Sequence, residues 1–235
     1  MNANTQKDSA TEAYYYIRNL HFIGNTITKE KIILREMTIR TGDSIRKLDM
    51  NQVLNQNKYR ILNVQLFTAV EGEFVILAKD SVDITFTVHE LFYYVPNPIF
   101  SLADRNFNVW YKEQKLRLNR TNIGSQLTRL NFRGRGERLG GTIQVGYSKY
   151  FDVFYKIPYV DKKLKRGAGI SMTYTTGREI NYRTNENKLD FYRNEQYPYK
   201  RFQTEFSYTS RPAYALIHEW NVSYNYYSIS EELFQ

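Results

Sequence analysis

Cysteine is absent from the 235-residue sequence, which removes disulfides, thiolate metal centres and thiol nucleophiles from consideration. Histidine is scarce. His21, His89 and His218 stand far apart, without metal-ligand spacing to one another or to acidic pairs, so no metal site is expected. No apolar run exceeds the five residues from Phe74 to Ala78, far short of the ~20 a membrane-crossing helix needs. The first twelve residues lack the apolar core of a secretory signal. Catalytic signatures are missing too: there is no G-x-S-x-G, no triad pattern, and Gly140 follows Gly134-Arg135-Gly136 one residue too late for a dinucleotide loop. The expectation is a non-enzyme without cofactor or metal, the residual alternative being a hydrolase built from separated residues.

What is present is aromatic and basic. Aromatics make up 16% of the chain and the net charge is +9, an interleaving that invites a nucleic-acid reading. No recognition helix or RNP-like motif accompanies the charge, and Lys162, Lys163, Lys165 and Arg166 sit together at a presumed turn, where charges are simply solvated. No nucleic-acid partner is expected; anionic head groups are the better match.

The pattern changes near residue 90, dividing the chain into two modules. In the first, Tyr14 to Ile23 reads as a strand ended by Gly24-Asn25, and Thr28 is a candidate N-cap for a short helix through Met37. A second helix starts at Asp49, with Met50, Val53, Leu54 and Ile61 on one face and Asn51, Gln52, Asn55 and Gln56 on the other. Leu66 to Leu77 is a second strand. Val82, Ile84, Phe86 and Val88 then alternate with Asp83, Thr85, Thr87 and His89, completing a β-α-α-β-β order.

In the second module, Ile143, Val145 and Tyr147 oppose Thr142, Gln144, Gly146 and Ser148. Ile170, Met172 and Tyr174 oppose Gly169, Ser171, Thr173 and Thr175, while Phe202, Phe206 and Tyr208 oppose Gln203, Glu205 and Ser207. Leu216, His218, Trp220, Val222, Tyr224 and Tyr226 oppose Glu219, Asn221, Ser223 and Asn225. A strand crosses a bilayer in ~9 to 11 residues, half of them polar. Periodicity alone also admits a soluble sandwich, but apart from Glu205 and Glu219 the second faces are Gly, Ser, Thr, Asn and Gln rather than charged. Turn signals at 133–137, 150–152, 161–167, 183–188, 195–199 and 211–213 delimit about seven strands, with an eighth from Phe92 to Lys112.

Between the modules, P-I-F-S-L-A-D-R-N-F-N-V-W, L-N-R-T-N-I-G and N-F-R-G-R-G-E resemble the start of the barrel in BamA/TamA-type outer-membrane assembly proteins, particularly those of Bacteroidetes. G-N-x-I-T-K-E-x-I with L-F-T-x-V resembles a POTRA domain. The resemblance implies a mainly β chain: a tail at 1–13, a periplasmic POTRA-like domain at 14–91, and at 92–235 an antiparallel transmembrane β-barrel of about eight strands. It also implies a secretory signal, so the expectation is that one has been removed and Met1 is an added start. The family has sixteen strands and a V-R-G-F-type lumenal motif, neither of which occurs here; Phe132-Arg133-Gly134 falls in an early hairpin.

The resemblance implies a strand-accepting edge at Glu71, Gly72, Glu73, Phe74, Val75 and Ile76, which would take unfolded outer-membrane protein clients by β-augmentation. The lipid-facing residues would be Ile143, Val145, Tyr147, Ile170, Met172, Tyr174, Phe202, Phe206, Tyr208, Trp220, Val222, Tyr224 and Tyr226. Two chains pairing edge to edge would close one barrel as a homodimer in outer-membrane lipid, with a seam at Thr121, Ile123 and Gln126 against Asn221, Ser223 and Asn225; a closed eight-strand barrel is the alternative. The expected task is assisting protein insertion or translocation, or perturbing lipids. The rival is a passive pore or structural protein.

Overall fold

The computed structural model describes residues 13–78, 80–104, 106–113, 115–185, 188–213 and 215–230. The expected tail lies outside these except for Ala13, as does Phe234. The chain divides into two compact units, Met1–Leu91 and Phe92–Gln235.

The first unit is a four-stranded sheet with two helices. Strand β1 (Tyr14–Ile23) leads to α1 (Glu30–Glu36), the short β2 (Ser44–Arg46), α2 (Met50–Leu62), then β3 (Phe67–Ala78) and β4 (Ser81–Glu90). The sheet order is β2-β1-β4-β3, with β1 and β4 parallel and both outer pairs antiparallel. Its core is built from alternation: Val82, Ile84, Phe86 and Val88 are buried, and so are Ile17 of β1, Ile32 and Ile33 of α1, and Met50, Leu54 and Ile61 of α2.

Two polar side chains finish this core. Asn57, fully buried on α2, accepts from the Thr38 N–H at 2.8 Å and donates to the Val53 carbonyl at 2.8 Å, fixing the segment after α1. Thr28 does not cap α1. The residue preceding the helix is Lys29, without a side-chain cap, and the Thr28 hydroxyl donates instead to Glu90 at the end of β4.

Among the described residues the second unit has an antiparallel sheet of seven strands in the order β13-β12-β9-β8-β7-β6-β5. They are β5 (Tyr94–Leu102), β6 (Thr121–Arg129), β7 (Arg138–Gly146), β8 (Lys149–Ile157), β9 (Arg166–Gly177), β12 (Tyr199–Ala213) and β13 (Leu216–Ile229). The intervening β10 (Glu179–Asn185) and β11 (Lys188–Arg193) form a separate hairpin.

Two expected turns are strand. Tyr150 to Asp152 lie within β8, and the reversal falls just before it, at Gly146 with φ 133°. Arg211 to Ala213 end β12; Pro212 is tolerated there because the pairing with β13 slips between Ser210 and Ala213.

At the end where the chain enters β5, the connections are 130–137, 158–165 and 214–215; at the other end they are 103–120, 147–148 and the hairpin region 178–198. Segment 103–120 carries one π-helical turn, Val109–Glu113. Trp110 is buried there, its indole N–H donating to the Arg117 carbonyl at 3.0 Å.

Candidate functional site: strand edges and a two-faced sheet

In the first unit, β3 is an outer strand of the sheet, and Glu71 to Ile76 lie on it. It pairs with β4 on one side, and among the described residues no strand lies on the other. Its twelve residues present a row of backbone N–H and C=O groups, with Val75, Ile76 and Leu77 exposed and apolar. Gly72 faces inward, where a Cβ would press on the Phe86 ring at 3.0 Å.

The β4 end of that hairpin is locked by Glu90. Its carboxylate accepts from the N–H of Thr28 at 2.6 Å, the hydroxyl of Thr26 at 2.7 Å and the N–H of Ile27 at 3.1 Å, besides the Thr28 hydroxyl at 2.5 Å. Partial burial opposes its ionisation, but the bonds from Thr28, Thr26 and Ile27 prevail and hold the carboxyl below the usual range. Local sequence pattern gives no sign of this clamp, because Glu90 lies 62 to 64 residues from its partners.

The seven-stranded sheet has two chemically distinct faces, set by register. Across it, Gln126 pairs with Thr142, Thr142 with Asp152, Asp152 with Thr173, Thr173 with Gln203 and Gln203 with Asn225, one continuous polar row. A neighbouring outward row runs Ser125, Ile143, Phe151, Tyr174, Phe202, Tyr226. The polar face holds a groove of about 740 Å³ that includes Arg138, Lys156, Asp152 and Glu205. Gly140 is needed on it, because a Cβ would lie 2.5 Å from the Phe154 ring.

Of the thirteen residues expected on the apolar face, Ile143, Val145, Met172, Tyr174, Phe202, Phe206, Tyr208, Trp220, Val222, Tyr224 and Tyr226 are there and exposed, Val222 to 71%; Ile170 is there and half-buried. Tyr147 is the exception. It falls in the turn after β7, half-buried, with the Arg120 guanidinium 4.8 Å from its ring centre. The face also carries Phe100, Ile123, Leu127, Phe151 and Val153, which the alternation of β5, β6 and β8 places there.

Thr121, Ile123 and Gln126 do not lie at an edge. They belong to β6, which is paired on both sides, with β5 and β7. A strand upstream takes the edge position, because the sheet begins at Tyr94 rather than near Arg120. Asn221, Ser223 and Asn225 do lie on an outer strand, β13.

The two outer strands differ. Leu130 N–H donates to the Tyr93 carbonyl and Ala103 N–H to the Arg120 carbonyl, so odd-numbered residues of β5 bond to β6. Even-numbered residues therefore face the open side, among them Pro96 and Pro98, which have no N–H to offer. On β13, Ser230 N–H donates to the Pro198 carbonyl, so odd-numbered residues from Ile217 to Ile229, including Asn221, Ser223 and Asn225, turn their N–H and C=O outward with no proline among them. With seven antiparallel strands, β5 and β13 run in the same direction.

Charged clusters brace both ends of this sheet. In connection 130–137, Glu137 is fully buried and accepts from Arg133 Nε at 2.8 Å, with Arg135 at 3.4 Å. Burial alone would raise its pKa; Arg133, Tyr155 and Arg135 reverse that and hold it low. At the other end, Arg120 is paired with Asp104 at 2.7 Å and Glu179 with Arg193 at 2.6 Å. Tyr147 beside them is pushed up to about 12 by burial and its bond to Glu179. Among the described residues no cluster of three or more His, Asp or Glu is placed to hold a metal.

Residues 15–91 match the POTRA family model, described as a surface antigen variable number repeat. No curated protein sequence matches the chain. Among solved structures, BamA from Haemophilus ducreyi, in a form lacking POTRA domains 1–3, aligns with a TM-score of 0.62 at 18% identity, over 90% of this chain and 35% of that one. CdiB from Acinetobacter baumannii aligns at 0.45 and 10% identity (90% and 38%), and CdiB from Escherichia coli at 0.43 and 10% (91% and 38%). The chain thus spans little more than a third of the length of these structures.

Proposed function

We propose that this chain, with its POTRA domain and a mainly β fold shared with BamA, works at the bacterial outer membrane: its POTRA domain in the periplasm, its seven-stranded sheet in lipid, assisting the insertion or translocation of other proteins. The observation that carries the reading is the pairing of an unoccupied outer strand, β3, with a sheet whose exposed face is apolar and whose other face is polar. Unpaired backbone groups on β3 offer hydrogen bonds to an extended client, and Val75, Ile76 and Leu77 offer apolar contacts for its side chains. The apolar face matches hydrocarbon, where every backbone group needs a partner within the protein.

Client folding in vesicles tests the reading. Unfolded outer-membrane proteins should fold faster with the reconstituted protein than without it, and Ile76→Pro on β3 should remove the acceleration. Steady conductance in planar bilayers without any acceleration would instead support a passive pore.

The open side of β13 offers its backbone groups to a client strand running antiparallel to it, the stronger of the two ways to pair. A second copy in the same membrane orientation closes the sheet only through parallel seams, β5 of one copy against β13 of the other, which is the weaker pairing and one that loses the donors of Pro96 and Pro98. Cysteines at Pro98 and Ser223 that crosslink between chains in detergent would establish the homodimer; their absence from a monomer of measured mass would eliminate it.

A further inference from the structure

At the end of the seven-stranded sheet away from where the chain enters, segment 117–120, the turn at Tyr147 and the base of the β10-β11 hairpin line an open cleft of about 230 Å³. Four arginines line it: Arg117, Arg120, Arg178 and Arg193. Two of them are neutralised. Asp104 pairs with Arg120 at 2.7 Å and Glu179 with Arg193 at 2.6 Å. Arg178 is not. Its guanidinium lies 5.2 Å from the Tyr197 ring centre and 5.8 Å from that of Tyr147, one of its terminal N–H groups reaches the Tyr197 hydroxyl at 3.4 Å, and its Nε is shut off from solvent without an acceptor.

Tyr147 therefore sits between two cations, with the Arg120 guanidinium 4.8 Å from its ring centre, and it stays neutral because burial and the Glu179 carboxylate oppose its ionisation. Glu195 is the sole carboxylate of the lining and is exposed. Positive charge is thus left in excess where a buried donor lacks an acceptor. Buried donors are almost always satisfied, and a forked guanidinium is matched best by a planar or tetrahedral oxyanion.

We propose that this cleft binds a phosphate-class oxyanion, held by Arg178 and Arg117 and framed by the braced Arg120 and Arg193. Its volume, below the roughly 300–1,000 Å³ of pockets for drug-sized molecules, suffices for a compact anionic group and leaves the rest of a larger ligand in solvent. A free phosphate and the phosphomonoester head group of a lipid share this chemistry.

The test is titration of the full chain in neutral detergent with inorganic phosphate, and, separately, binding to phosphatidylcholine vesicles with and without phosphatidic acid. One saturable site in the first arm identifies a free anion; saturable dependence on phosphatidic acid in the second alone identifies a head group. Arg178→Gln should weaken the response about tenfold, as expected for losing one charge-assisted contact. Arg117→Gln, at an exposed side chain whose loss spares the fold, should weaken it severalfold and decides the matter where Arg178→Gln does not fold. Lys162→Gln, at the opposite end, should leave it unchanged. No saturable response in either arm, or Arg117→Gln and a folded Arg178→Gln both binding like the parent, overturns the proposal.

Discussion

The POTRA sheet and the seven-stranded sheet follow the same two-residue alternation and put it to opposite uses. On β4, Phe86 is 0% exposed and its neighbours Thr85 and Thr87 face away from the core; on β13, Val222 is 71% exposed, while Asn221 and Ser223 belong to the polar face. The difference lies in what covers the apolar side. Two amphipathic helices lie on the first sheet, whereas the described residues of the second unit hold no regular helix beyond a few short turns. Alternation therefore announces that a strand has two faces, and only the presence of covering elements says which of them is dry.

The largest effect that would break this comparison is one of solubility. A polypeptide of residues 13–91 should be monodisperse in plain buffer, while the whole chain should require detergent; light scattering of both decides it. A whole chain monodisperse without detergent would show that the exposed apolar face is covered by something other than lipid.

Core truncation comes next. Phe86→Ala should cost the POTRA domain about 3–5 kcal/mol in urea unfolding, the range for a large aromatic removed from a packed core. Val222→Arg should cost a similar or somewhat smaller ~2–4 kcal/mol, but only for the sheet folded into vesicles, where a charge meets hydrocarbon.

Glu90→Gln is the smallest of the set, about 1–3 kcal/mol for weakening a charge-assisted network. Its pH dependence is specific. The folded pKa is depressed below the ordinary carboxylate value, so the stabilisation is fully present above that ordinary value and disappears as pH falls through the folded one. The parent POTRA domain should lose stability on acidification below about pH 4.5 more steeply than Glu90→Gln does.

Much of this was readable from local pattern. The burial of Val82, Ile84, Phe86 and Val88, the face of α2 with Met50, Leu54 and Ile61, and the apolar rows of β9, β12 and β13 all follow from spacing. Tyr150 to Asp152 reads as a turn but is strand, because the tighter signal is Gly146, whose Cβ would run into the Thr121 carbonyl oxygen, so that the reversal ends before Lys149. Register was out of reach for another reason: which strand stands at an edge depends on pairings between distant segments, so β5 displaced β6 from the position assigned to Ile123. The Glu90 clamp and the Arg120 to Glu179 cluster join residues about 60 positions apart, where no periodicity operates.

The placement of the two tryptophans turns the molecule into its own optical gauge. Trp110 is packed among Phe107 and the backbone of 103–120, whereas Trp220 projects from the apolar face beside Tyr208, 53% exposed. Lipids brominated along their acyl chains should quench the emission of Trp220 alone, and moving the bromine along the chain should report how deep β13 sits, with Trp110 as the internal standard in every spectrum.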